Sequence, residues 1–148
     1  MPTAQVIALQ AGQITLLQSL LNKAGLPYDD CLDIGHRYYG VFSGARLIGA
    51  GGLELARNDA LLRSLVVATD FRSQGLGGLL SDFILAEARR LGQASIYLLT
   101  ETAGDYFTAR GFTLIERDQV PDSIAGTRQF SELCPDSASC MQLILPGQ

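Results

Sequence analysis

Between positions 72 and 78 the chain reads Arg-Ser-Gln-Gly-Leu-Gly-Gly, after the apolar run Leu65-Val66-Val67 and ahead of a segment where Leu80, Ile84, Ala88 and Leu91 recur at helical spacing. A strand that turns through glycines into a helix is suited to holding phosphate. Glycine lets the main chain come close to a ligand, and the first helical turn offers unpaired N–H groups at the positive end of the helix dipole. Two other glycine patterns are excluded by residue type. No Lys follows Gly77 or Gly78, as a P-loop requires, and Arg72 stands where a dinucleotide fingerprint needs its first Gly.

The spacing Arg72-x-x-Gly75-x-Gly77, with Leu65-Val66-Val67 before it and Leu79-Leu80 after it, resembles the acetyl-CoA motif of the GNAT superfamily of N-acyltransferases. The resemblance implies acetyl-CoA as cosubstrate, its pyrophosphate held by Arg72, Ser73, Gln74, Gly75, Leu76, Gly77 and Gly78. It also implies that the strands on either side of the following helix splay apart to admit the pantetheine arm. Main-chain N–H groups within Leu65, Val66 and Val67 would then pair with the pantetheine amides and polarise the thioester carbonyl. Thr100 occupies the place of an Asn that often touches the cofactor. A second run, Ala103-x-x-Tyr106-Phe107-x-x-x-Gly111-Phe112, resembles the GNAT pattern Ala-x-x-Phe-Tyr-x-x-x-Gly-Phe.

Acetylation of an amine needs a neutral amine, a stabilised oxyanion and a proton for the departing thiolate. In many GNAT enzymes a Tyr four residues before the Gly-Phe pair supplies that proton, and here the position is Phe107. Tyr106 is the candidate acid, although one residue earlier on a helix turns its side chain by roughly 100°; packing in the core is the alternative. A thiol's ordinary pKa also lets the thiolate leave unaided. Glu54, whose neighbours Leu53 and Leu55 point to the other face of a strand, is the best single carboxylate for a base, against the plainer alternative of a solvated edge residue. His36, the one histidine, reads as surface or structural. Arg63, two residues before Leu65, is expected on the same face as Leu65, where its guanidinium would suit a carboxylate, phosphinate or arsenate-like group; pairing with an acidic surface residue is the competing expectation. Arg128 is a second candidate for an anionic acceptor.

These residues need a scaffold, and the elements can be read in order. A short strand over 6–9 precedes a helix over 13–24 that ends at Gly25 and Pro27; a turn of helix is expected within 29–34. Strands follow at 37–43 and 46–55, joined at Gly44, and Gly49, Gly51 and Gly52 inside the second signal a bulge or a close approach to the backbone. A third strand, 61–67, feeds the glycine loop and its helix, which Gly92 ends. Strand 94–99 then implies a parallel pair with a right-handed crossover. A short helix over 102–110, a strand over 113–116 and a last strand over 138–145 complete the chain. The expected class is α/β (α+β), a GNAT-type fold with a mixed central sheet of six to seven strands splayed at the cofactor cleft and about four flanking helices. One domain over 1–148 fits this length.

Composition narrows the partners. Fifteen acidic against eleven basic residues give a formal net charge of −4, the wrong sign for nucleic acid. No apolar run is long enough to span a bilayer, and the start has no signal-peptide pattern, so a soluble cytoplasmic protein without a membrane partner is expected. Cys31, Cys134 and Cys140 form no Cys-x-x-Cys pair, which supports neither a metal site nor a disulfide framework.

The stretch from Val120 to Met141, Pro-x-x-Ile-x-x-Thr-x-x-Phe-x-x-Leu-Cys-Pro-x-Ser-Ala-x-Cys-Met, resembles the arsenic-resistance N-acetyltransferases encoded in bacterial ars operons. It implies a small anionic amino compound as acceptor, in the setting of arsenic resistance. Two other functions compete: a CoA-binding regulatory module of the same fold without transfer activity, and thiol trapping of arsenite by Cys134 and Cys140. A homodimer through the extra segment and last strand fits the superfamily's habits.

Overall fold

Alternating apolar and β-branched residues build the first half of the molecule as an antiparallel meander. The computed structural model describes residues 5–26, 28, 31, 35–101, 103–127, 130 and 138–145. Among them are seven strands, β1 (Ile7–Ala8), β2 (His36–Ser43), β3 (Arg46–Ala56), β4 (Asp59–Val67), β5 (Ser95–Thr100), β6 (Thr113–Ile115) and β7 (Ser139–Ile144). Four helices accompany them: α1 (Ile14–Lys23), α2 (Leu76–Arg90), α3 (Gly104–Thr108) and α4 (Asp122–Ala125). The strands form one mixed sheet in the order β1-β2-β3-β4-β5-β7-β6, with β4 and β5 the parallel pair that α2 connects. This is the expected GNAT-type architecture, and the observed elements follow the expected ones to within a few residues. The turn of helix expected within 29–34 lies, Cys31 apart, outside the described residues.

The helices cover opposite faces. α2 buries Leu76, Leu80, Ile84 and Ala88 against Tyr39, Leu53, Leu62 and Ile96, while α1 buries Leu17 and Leu21 against Tyr38, Leu47, Ala50 and Val66. The β3 glycines leave room for large side chains on both faces of the sheet. A Cβ on Gly51 would sit 2.6 Å from Ile84 Cδ1, and one on Gly52 would sit 2.6 Å from the Tyr38 ring. Each helix ends on a glycine in the left-handed region, Gly25 at φ +73° and Gly92 at φ +78°. None of the described helices is long and apolar enough to cross a membrane.

Two irregularities in β4 set the shape of the sheet's centre. Ala50 pairs with Val66 but Gly52 pairs with Arg63, so β4 carries one residue more than β3 over this stretch, and Ser64 takes φ +59° there. The bulge reverses the alternation. Arg63 shares the face of Gly52, Tyr38 and Glu54, whereas Leu65 packs with the α2 core, which corrects the expectation that the two share a face. Pairing of β4 with β5 stops at Leu61–Tyr97, yet β4 continues to Val67 and β5 to Thr100. The two strands therefore open into a wedge.

Candidate active site

That wedge is the entrance of a cleft of about 1170 Å³. Leu65, Val66 and Val67 form one wall and Leu98, Leu99 and Thr100 the other. The β4 wall is a strand with one edge hydrogen-bonded to β3 and the other turned to the gap, where the Val67 carbonyl accepts from Arg72 and β5 pairs with none of the main chain beyond Leu61. Thr100 faces the cleft with its Oγ1 already accepting the Ala103 N–H at 3.0 Å, a bond that ties the end of β5 to the start of α3.

At the mouth lies the glycine loop. Arg72, Ser73, Gly75, Leu76, Gly77 and Gly78 line the cleft, while Gln74 is exposed and does not. Ser73 and Gly75 take φ +67° and +81°, and this pair of left-handed residues turns the chain sharply into α2. The N–H groups of the first α2 turn have no carbonyl one turn earlier to meet. Helix dipole and N–H groups together make the mouth attractive to a polyanion. Asp70 would oppose this, but Arg46 neutralises it through a bidentate pair at 2.7 and 2.8 Å and holds its carboxyl below the usual carboxylate range. Arg72 folds back, its Nε donating to the Val67 carbonyl at 3.2 Å.

Over the first α2 turn stands Tyr106. Its hydroxyl lies 3.3 Å from Ser81 Oγ and 3.6 Å from where a Gly77 Cβ would be. The Arg110 guanidinium stacks on the Tyr106 ring at 4.2 Å and fills the space that a Gly78 Cβ would take, 2.6 Å from its Nη2. Phe107 also borders the cleft but is buried, its ring 5.5 Å from that of Phe112. Ser81 and Arg110 escaped the sequence reading. The only hint of Ser81 was a small polar residue next to Leu80 on the buried stripe of α2.

The other side of the cleft is formed by Asn22 in the last turn of α1, by Leu26 and Tyr28 beyond its end, and by Arg63. Arg63 is 2 % exposed, and its Nη1 donates to Glu54 Oε1 at 3.3 Å. Glu54 does not line the cleft. Its carboxylate lies on the Tyr38 face, 3.1 Å from Nε2 of His36, and His36 is buried there, not at the surface. Arg128 and Cys134 fall outside the described residues.

The profile of the acetyltransferase (GNAT) family matches residues 15–113. The amino-acid acetyltransferases of Enterobacter sp. (strain 638) and Salmonella arizonae are each 34% identical over 59 residues, which is 40% of this chain and 13% of theirs. The chain thus spans only a small part of those curated relatives. Among solved structures, N-acetylglutamate synthase from Neisseria gonorrhoeae, complexed with coenzyme A and N-acetyl-glutamate, superposes with a TM-score of 0.80 at 17% identity, covering 99% of this chain and 36% of that one. An acetyltransferase of the GNAT family from Staphylococcus aureus Mu50 gives 0.78 at 18% identity, covering 97% and 100%. These structures share the fold, and the profile match over most of the chain fixes the family: the protein belongs to the acetyltransferase (GNAT) family.

Proposed function

We propose that the protein is an acetyl-CoA-dependent N-acetyltransferase acting on a small anionic amino compound of amino-acid type. The observation that carries this reading is the wedge between β4 and β5, continuous at its mouth with the glycine loop and the first turn of α2. Coenzyme A has two parts that such a cleft suits. Its pyrophosphate meets the N–H groups of the loop, Ser73 to Gly78 with Arg72 beside them, and its pantetheine amides meet the edge of Leu65, Val66 and Val67 turned to the gap. Those same N–H groups would stabilise the oxyanion as the amine attacks the thioester carbon. The C–S bond then breaks, the thiolate leaves, and the amine's extra proton passes to solvent.

Tyr106 is engaged by Ser81 over the first α2 turn, which favours seating of the cofactor over proton delivery. A thiol with a pKa of about 8.5 leaves without a side-chain acid. Arg63 borders the cleft with its side chain fully buried against Glu54, and the acceptor reading leans on the curated relatives, which are named amino-acid acetyltransferases. Arg128 is retained as an anion contact. The finer setting, arsenic resistance with an amino-bearing organoarsenical or phosphinate as acceptor, rests on the resemblance of the 120–141 stretch; a cytoplasmic homodimer belongs to the same proposal. Cys140 gives little support to thiol trapping, because it is buried and burial pushes its thiol pKa up.

The test is a thermal melt with and without millimolar acetyl-CoA, followed by thiol release from acetyl-CoA in the presence of each proteinogenic amino acid and of amino-bearing arsonates and phosphinates. A rise of several degrees and release with an anionic amine support the proposal. No rise sinks it.

A further inference from the structure

A cation beside the mouth of the cleft sits where its protein neighbours give it little reason to be. Arg110 follows α3 in a turn closed on the Phe107 carbonyl, which accepts from the Arg110 N–H at 3.0 Å and from the Phe112 N–H at 3.1 Å, and Phe112 anchors that turn in the core. The side chain runs back along α2 toward its start. Nε lies 3.5 Å from Asp82 Oδ1, and Nη2 lies a turn nearer the N-terminus, in the hollow beside Gly78. The Tyr106 ring carries the guanidinium on its face at 4.2 Å. A guanidinium only donates, and here none of its N–H groups makes a hydrogen bond with a described residue. Nε is buried and unmet, while Asp82 is 70% exposed, and an ion pair that wet and that long does little to hold the group.

The placement also runs against the field of the helix. The first turn of α2 is the positive end of its dipole, which repels a cation and attracts an anion. The side chain is only 25% exposed, so its unmet donors are disfavoured as well. One event removes both penalties: the arrival of an anion on the flank of that first turn. We infer that Arg110 is a cofactor-binding residue, which receives the 3′-phosphate on the adenosine of acetyl-CoA. The inference rests on the transferase reading, which already gives the pyrophosphate to the loop N–H groups and the pantetheine to the wedge. What remains is the adenosine end, whose 3′-phosphate carries a charge of about −1.5 to −2 at pH 7. That end belongs outside the wedge. Arg110 does not line the wedge but touches Gly78 and Tyr106, which do. Its planar fork suits two phosphate oxygens at once.

Dephospho-CoA lacks only the 3′-phosphate, so calorimetric titration of wild type and Arg110→Gln with CoA and with dephospho-CoA isolates this one contact. At low salt, wild type is expected to bind CoA about tenfold more tightly than dephospho-CoA, the worth of a hydrogen bond between charged groups at a partly exposed site. Arg110→Gln is expected to lose about tenfold on CoA and less than about twofold on dephospho-CoA, so that it binds the two alike. Its Tm without ligand should stay within about 3 °C of wild type, since it gives up one weak ion pair and a stacking contact. Should the neutral variant not fold, Arg110→Lys carries the test: it keeps the charge without the planar fork, and its preference for CoA should be smaller than that of wild type. A wild-type preference under about twofold overturns the inference with no variant needed. So does a variant that keeps the full preference, or one that loses equally on both ligands. If wild type binds neither ligand, the transferase reading falls and takes this inference with it; if it binds both alike, the inference alone falls.

Discussion

Replacing Gly77 by Ala separates the two reasons a glycine can be needed at the mouth of the cleft. Residue 77 is already helical, and its added Cβ would come no closer than 3.6 Å to any neighbour, the Tyr106 hydroxyl, which is ordinary contact. The fold therefore has no objection to the methyl. Ala is favoured over Gly by about 0.8–1.0 kcal/mol within a helix, and less in a first turn. For a chain of this size that is a rise in Tm of at most about 3 °C without ligand. Cofactor binding should suffer instead, because Gly77 lines the cleft between Tyr106 and the loop N–H groups. Acetyl-CoA at a hundredfold excess over its Kd stabilises the native state by about 2.7 kcal/mol, and a tenfold loss of affinity cuts this to about 1.4 kcal/mol. Melts of wild type and variant at one fixed acetyl-CoA concentration read the difference. The Ala variant should start level or higher and gain half as much or less. A lower starting Tm with an undiminished gain would refute the reasoning, since the glycine would then serve the fold and not the phosphate.

Gly75→Ala should behave in the opposite sense: its Cβ meets nothing within 4 Å, but φ +81° costs a side-chain-bearing residue about 1–2 kcal/mol, seen as a lower Tm without ligand. Tyr106→Phe loses the bond to Ser81, so the KM for acetyl-CoA should rise up to about fivefold with kcat within about twofold, and a hundredfold fall in kcat would make Tyr106 the acid after all. Tyr39, buried and facing Glu87, is held at about 12 instead of 10.0, burial being the main cause. A raised folded pKa contributes stability below pH 10 that is lost as pH climbs toward 12, about 1 kcal/mol of it by pH 11. Between pH 9 and 11 the Tm of Tyr39→Phe should therefore fall about 3–5 °C less than that of wild type; equal falls would show that Tyr39 ionises normally.

The glycine-loop half of the cleft was legible because its signals are local. Glycines at fixed offsets, a β-branched run before them and a 3.6-residue stripe after them place strand, turn and helix without any knowledge of pairing. The half near Arg63 depends on register. Counting back through the β2–β3 hairpin from Ser43 opposite Arg46 puts His36 opposite Leu53, whose side chain faces α2. The irregularity between Val41 and Phe42 shifts this by one and brings His36 to Glu54. The β4 bulge likewise turns Arg63 away from the face of Leu65, and its left-handed residue is Ser64, not the Gly or Asn that would have announced it. Tyr106 was found by its motif, but its fate was set by Ser81 and Arg110, which meet it only once α2 and α3 are packed.

The central claim is that the wedge between β4 and β5 receives acetyl-CoA, and a crystal structure of the protein with the cofactor bound tests it most directly. The account predicts pyrophosphate on the N–H groups between Ser73 and Gly78, and pantetheine amides paired with the main chain of Leu65, Val66 and Val67. Cofactor bound elsewhere, or a wedge filled by protein with the cofactor left outside, would contradict it.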